Sequence, residues 1–250
     1  MRLHVIGTGS SGNCYLIEAG GSILMLDAGV KMKDIKRAIP RPSRVAGCLV
    51  THEHMDHAKS VYGVAELGIP VVMSQGTFEA IKRESSPIPI HFKLACDRLA
   101  IVLGDFTIVP FKTQHDAEEP LGFVVRHNPT METLLYATDT YYLAYTFPGI
   151  HYWLIECNYV DEILDQKTES GEVSVSLRKR LRRSHMSLNR LLDALRANDL
   201  SKTRSIVLIH LSDQRSDEET MVKRVKEVSG IENVVAAEAG MDIPLEINPF

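Results

Sequence analysis

Three histidines and an aspartate crowd into six residues of this chain, His52-Glu53-His54-Met55-Asp56-His57, and an apolar run, Val45-Ala46-Gly47-Cys48-Leu49-Val50, leads straight into them. The chain has 10 histidines in 250 residues, so a random window of six would hold about a quarter of one. The apolar run reads as a buried strand, which places the cluster where a strand ends and the chain turns. Neutral imidazoles and a carboxylate are the ligands that borderline divalent metals take. A strand end holds such ligands on a rigid element and leaves one side open. A polar loop that merely happens to be rich in histidine is the competing explanation. The ligand types and the setting together favour a metal site.

The same arrangement recurs. The run 106–109 leads through Phe111 to His115, the run 133–137 delivers Thr138-Asp139-Thr140, and the run 205–209 ends at His210-Leu211-Ser212. A lone histidine or aspartate in such a place is usually a loop residue; repetition is what raises these three. Asp27 follows Ile23-Leu24-Met25-Leu26. It is either a turn residue or a buried carboxylate that orients a ligand imidazole, and beside a histidine cluster the second is favoured.

Further strands are predicted over 3–6, 14–17, 70–73, 99–103, 122–125, 151–155, 234–236 and 243–247, and helices over 30–39, 61–67, 77–83, 173–183, 188–197 and 218–228. Asp56 is expected to cap a short helix from His57, and Ser187 to cap the helix from Leu188. Residues 85–89 and 161–171 read as loops. The small-residue loop Gly7-Thr8-Gly9-Ser10-Ser11-Gly12-Asn13 either offers N–H groups to a phosphate or is an ordinary hairpin turn. No Gly-Lys-Ser/Thr closes it, so it is not a P-loop. The helix 173–183 carries Arg178, Lys179, Arg180, Arg182 and Arg183 and runs into Ser184-His185-Met186-Ser187. A charge run usually means a solvated face; contact with phosphates is the alternative.

A net charge of −4 gives no overall basic character, so any nucleic-acid contact must come from a local patch. Cys14, Cys48, Cys96 and Cys157 form no C-x-x-C pair, and three lie in apolar runs. They read as thiols of a reducing compartment rather than a disulfide framework. The first residues lack a signal peptide's apolar stretch, and no run of about 20 apolar residues occurs, so a cytoplasmic location and no membrane span are expected.

Taken in order, Asp27, His52-x-His54-x-Asp56-His57, His115, Asp139 and His210 resemble the motifs of the metallo-β-lactamase superfamily. The resemblance spans residue 1 to about 245. It implies an α+β fold, an αββα four-layer sandwich of two mixed sheets with helices outside. It makes 1–250 a single domain with a short basic helical insertion at about 160–198. It implies two divalent ions, zinc or manganese. His52, His54 and His115 would hold one, Asp56, His57 and His210 the other, with Asp139 bridging and Asp27 bracing the site.

Gly9-Ser10-Ser11-Gly12-Asn13, Glu156-Cys157-Asn158-Tyr159, Ser184-His185-Met186-Ser187 and His210-Leu211-Ser212 further resemble the YycJ/WalJ group of small DNA exonucleases. Those relatives more often have Gly-His-Leu-Ser where this chain has Ser-His-Met-Ser. Only 45 residues separate Asp139 from His185, which leaves no room for the large extra domain of ribonuclease J and CPSF relatives. The implied activity is a 5′-to-3′ DNA exonuclease that attacks phosphorus with a metal-activated hydroxide. Asp56 and His185 would handle protons. Ser11, Asn13, Arg178, Arg182, Arg183, His185 and Ser212 would contact the DNA phosphate backbone. A small cyclic phosphodiester is the alternative substrate. The oligomeric state stays open, with a dimer among the options.

Overall fold

The computed structural model describes residues 1–84, 92–212 and 214–245. Two compact units make up the chain: Met1–Lys112, Ala117–Thr133 and Glu238–Phe250 form the first, and Thr113–Asp116 with Leu134–Ala237 form the second. The loop expected over 85–89 lies outside the described residues.

In the first unit, β1 (Arg2–Gly7), β2 (Cys14–Ala19) and β3 (Ser22–Leu26) pair antiparallel. The helix α1 (Met32–Ala38) crosses over to β4 (Val45–Leu49), which lies parallel to β3. Two short helices, α2 (Met55–Ala58) and α3 (Val61–Glu66), lead to β5 (Val71–Met73), and α4 (Gln75–Glu84) precedes β6 (Phe92–Leu94). β4, β5 and β6 continue the parallel pairing. β3 and β4 are buried almost along their length, as parallel strands covered on both faces must be, and their sequences are correspondingly unbroken apolar runs. Met25, Cys48 and Val50 pack with Ile35 of α1 and Val61 and Val64 of α3. β7 (Ile101–Leu103), β8 (Phe106–Lys112) and β9 (Leu121–His127) form an antiparallel meander.

In the second unit, β10 (Glu132–Ala137), β11 (Tyr152–Glu156), β12 (Ser205–Ile209) and β13 (Val234–Ala236) run parallel. Between them come α5 (Asp161–Glu169), α6 (Val175–Ser184), α7 (Leu188–Arg196) and α8 (Glu218–Ser229). In the first unit, β14 (Asp242–Pro244) pairs with β1; of the strand expected over 243–247, Leu245 lies after β14 and 246–247 lie outside the described residues. Leu188, Leu191, Leu192 and Leu195 are all buried along α7, the i, i+3, i+4, i+7 stripe of a helix with one apolar face. Ser187 caps it by accepting from Arg190 N, as expected. Trp153 is fully buried and donates to Thr203 Oγ1 at 3.1 Å.

Two local expectations are corrected. Residues 161–171 are not a loop: α5 occupies most of them. Only Leu164 of this helix is buried, against Tyr159, Val173 and Leu181, so no apolar period marks it. Asp161 and Glu162 in its first turn and Lys167 in its last suit the helix dipole instead. Nor does Asp56 cap α2. His54 holds the N-cap position and Asp56 sits in the first turn, where a carboxylate also faces the positive end of the dipole. The four cysteines are free, with Cys96 exposed and the other three buried. Among the described residues no helix is long and apolar enough to cross a membrane.

Candidate active site

Parallel neighbours end on the same edge of a sheet, the edge where open α/β sheets collect ligands. In the first unit β3 delivers Asp27 there and β4 delivers Thr51 and His52. Asp27 is fully buried. A buried carboxylate is tolerated only with donors around it, and Asp27 has them. Thr51 N donates to Oδ1 at 2.8 Å, the Thr51 hydroxyl lies 3.0 Å from Oδ2, and His57 Nδ1 lies 2.8 Å from Oδ2. This pairing places the His57 proton on Nδ1 and makes Nε2 the lone-pair nitrogen, which lies 3.1 Å from Asn13 Nδ2. With its own proton given to Asp27, the Thr51 oxygen accepts from His52 Nδ1 at 3.0 Å, so His52 turns Nε2 away from Thr51. That Nε2 lies 3.0 Å from His54 Nδ1. Two ligands held about 2.0–2.1 Å from one ion sit roughly 3–4 Å apart, so the pair fits a shared cation.

The small-residue loop is the hairpin connection weighed for it: it joins antiparallel β1 and β2, with Gly12 N donating to Gly9 O at 3.0 Å. It braces the histidine loop through the backbone. Asn13 N donates to Asp56 O at 2.7 Å, Gly29 N to Asn13 O at 2.8 Å, and Ala28 N to His57 O at 2.8 Å. Three chain segments meet there with no room for side chains. A Cβ on Gly12, whose φ is 141°, would lie 2.5 Å from Gly29 O, and one on Gly29 would lie 1.7 Å from Asp56 O. Asn13 is fully buried. Its Oδ1 accepts from Gly9 N at 2.9 Å, and its Nδ2 lies 3.1 Å from His57 Nε2. Ser11 is exposed.

In the second unit β10 ends before Asp139, β11 ends on Glu156 and β12 ends before His210. Asp139 Oδ1 lies 3.9 Å from His115 Nε2, and its Oδ2 lies 3.8 Å from His210 Nε2. Asp139 Oδ1 also lies 3.2 Å from His185 Nδ1, while its separations from the Nε2 atoms of His115 and His210 are too long for hydrogen bonds and suit ligands that share an ion. His115 is fixed from behind, with Nδ1 donating to Ser184 O at 2.8 Å. Burial lowers its pKa below the usual histidine value, against the pull of Asp139, which favours the neutral ring that a metal needs.

Glu156 was not among the expected site residues. The apolar run before it gave no sign that its carboxylate turns into the site. It is fully buried. Its Oε1 is 2.7 Å from His185 Nδ1 and 3.2 Å from His210 Nδ1, while Oε2 accepts from Thr140 N at 3.0 Å and Met186 N at 3.2 Å. It stands to the second unit as Asp27 stands to the first. Burial alone would raise its pKa; the His185 charge and bonds from His185 and His210 outweigh that and hold it low. Burial works the other way on His185, yet Glu156 and Asp139 overcome it and push its pKa up to about 10. Asn158, part of the stretch 156–159 that carries the resemblance but given no role there, donates to His210 O at 2.9 Å, and Ser212 N donates to Asn158 O at 2.9 Å.

Asp27, Asp139 and His210 have φ of 56°, 48° and 54°, three of the five non-glycine residues with positive φ among those described. The left-handed region costs roughly 1–3 kcal/mol for such a residue and persists only where its surroundings fix it. Here each follows a buried strand and is held by the contacts above. On α6, Arg178 Nε and Arg182 Nη2 donate to Asp165 Oδ1 at 2.7 and 2.9 Å. Lys179, Arg180 and Arg183 are exposed.

Two mixed β-sheets flanked by helices, with histidine and aspartate donors at strand ends, define a metallo-β-lactamase-type hydrolase fold. The chain belongs to the beta-lactamase superfamily: the family model "Beta-lactamase superfamily domain" matches residues 15–211. It is 26% identical over 264 residues to the exodeoxyribonuclease WalJ of Streptococcus pneumoniae serotype 2 (strain D39 / NCTC 7466), covering 98% of this chain and 93% of that protein. It is 29% identical over 193 residues to the exodeoxyribonuclease YycJ of Bacillus anthracis, covering 72% of this chain and 71% of the relative. The crystal structure of the metallo-beta-lactamase fold protein YhfI from Bacillus subtilis superposes with a TM-score of 0.73 at 19% identity, over 97% of this chain and 98% of the other.

Proposed function

We propose that the protein is a metal-dependent DNA exonuclease that degrades strands from the 5′ end. The observation that carries the metal site is Asp139, whose two oxygens lie 3.9 and 3.8 Å from the Nε2 atoms of His115 and His210. In this reading His52, His54 and His115 hold one divalent cation, zinc or manganese, and Asp56, His57 and His210 hold a second, with Asp139 shared. Such cations supply Lewis acidity toward a phosphodiester and lower the pKa of water. The relatives named exodeoxyribonuclease support DNA as the substrate.

The chain's own groups do the rest. Asp27 and Glu156 hold the donor imidazoles in one tautomer. Asp56 takes the proton of the attacking water. His185, kept protonated by Glu156, gives a proton to the departing oxygen. Exposed Lys179, Arg180 and Arg183 attract the phosphate backbone without reading sequence.

Duplex DNA labelled at the 5′ or the 3′ end is the test, with added Mn²⁺ or Zn²⁺ and beside the His54→Ala protein. Early release of 5′-labelled mononucleotide is expected, lost on chelation, restored by the metal and absent from the variant. A metal-loaded protein that leaves DNA intact but opens a cyclic nucleotide would replace this reading with the small phosphodiester. A second outcome concerns pH. Glu156→Gln removes the charge that keeps His185 protonated, so burial then lowers its pKa. The alkaline limb of the rate profile is expected to move to lower pH; an unmoved limb would assign it to another group.

A further inference from the structure

The loop that follows Asp139 carries an aromatic pair to which no role above falls. Tyr141 is half-buried and Tyr142 is 42% exposed, with ring centroids 5.0 Å apart at 48°. A single exposed aromatic side chain is ordinary; the way this pair is held is not. Thr140 N donates to Glu156 Oε2, and the Thr140 hydroxyl donates to Tyr142 O at 2.8 Å. Gln114 N donates back to Thr140 Oγ1 at 3.0 Å, and Tyr141 N to Gln114 O at 3.2 Å. The loop is therefore stitched to the buried carboxylate of the site and to the segment that carries His115.

Arg190 of α7 backs the pair. Its guanidinium carbon lies 5.0 Å from the Tyr141 ring centroid, a cation–π contact. Its Nη1 donates to Tyr141 O at 3.0 Å and to Arg182 O at 2.9 Å. One arginine thus ties the aromatic pair to the last turn of the basic helix, beside exposed Arg183. Tyr142 is three residues from Asp139, at most about 11 Å along the chain. Cationic groups for a backbone and a rigid π-face for a base are the two parts of a sequence-tolerant single-strand site.

We infer that Tyr142, backed by Tyr141 and Arg190, is a stacking platform for a nucleobase of an unpaired DNA strand near the phosphate under attack. This rests on the nuclease reading and adds a preference to it. A base inside a duplex has both faces covered by its neighbours, so the platform selects single-stranded or frayed ends.

The test is binding of the metal-loaded protein to a phosphorothioate-linked oligothymidylate, read by fluorescence anisotropy, for the unaltered protein and for Tyr142→Ala and Tyr142→Phe. Metal content and Tm check that both variants fold. Tyr142→Ala is expected to bind about tenfold more weakly or worse, the effect of losing one base–aromatic stack, while Tyr142→Phe binds normally. An oligonucleotide with abasic residues at its 5′ end should bind the unaltered protein as weakly as the intact strand binds Tyr142→Ala, with no further loss when both changes are combined. Equal binding by Tyr142→Ala and the unaltered protein, or losses that simply add, would overturn the platform and leave the nuclease reading standing. No binding of any oligonucleotide by the unaltered protein would bring down the nuclease reading, and the platform with it.

Discussion

Replacing Asp139 with alanine is expected to lower kcat by about a thousandfold or more while the protein stays folded. The carboxylate is 2% exposed, with one oxygen 3.9 Å from His115 Nε2 and the other 3.8 Å from His210 Nε2. Transition-state stabilisation by a bound cation is worth several kcal/mol, and each 1.36 kcal/mol is tenfold in rate. The fold has other supports: Thr140 N is held by Glu156 and Tyr141 N by Gln114 O. Alanine at φ 48° adds strain of about 1–2 kcal/mol, a cost a domain of this size withstands. Metal content per chain, measured beside kcat, should fall below that of the unaltered protein. Asp139→Asn accepts the left-handed φ more readily and separates backbone strain from loss of charge. A metal-replete, fully active Asp139→Ala protein would end the proposal of a shared carboxylate.

The metal donors were legible because of where they stand. Parallel strands covered on both faces must be apolar throughout, so β4, β10 and β12 announce themselves. The polar residues just after them are conspicuous: Thr51-His52, Thr138-Asp139 and His210. Glu156 obeys the same rule at the end of β11, yet a single glutamate after an apolar run equally fits a surface turn. Only its buried bonds to His185 and His210 reveal its role. α5 was illegible for the opposite reason, since a helix burying one leucine has no apolar period to read. The arginines of α6 were visible as charge, but not the fact that Arg178 and Arg182 are turned onto Asp165. That ion pair joins two helices and leaves the outward cations, Lys179, Arg180 and Arg183, for a partner. The small-residue loop was legible only in part. The turn between β1 and β2 was readable from its glycines, but the close approach of Gly12 to the Gly29 backbone was not, a tertiary fact without local pattern.

Gly29→Ala tests that last point and should be among the most disruptive single-methyl changes in the protein. The added carbon would sit 1.7 Å from Asp56 O and 2.1 Å from Asp56 C. Neither is the end of a flexible side chain, so one of two backbone segments must move. Moving residues 28–29 endangers Gly29 N to Asn13 O and Ala28 N to His57 O; moving the histidine loop endangers Asn13 N to Asp56 O. Overpacking alone costs about 1–3 kcal/mol and each lost backbone bond about 0.5–1.5. A total near 3 kcal/mol lowers Tm by roughly 6–12 °C in a chain of this length. Asp56 and His57 shift in either case, so metal content should fall together with Tm. Gly21→Ala supplies the comparison. Its φ is 89°, which alanine dislikes, but nothing lies within 4 Å of the new carbon. It should lose only the conformational cost, about 1–2 kcal/mol, and keep its metal. If Gly29→Ala melts no lower than Gly21→Ala and binds metal as well, the three-segment contact is soft. The histidine loop must then owe its position to Asp27 and Thr51 alone.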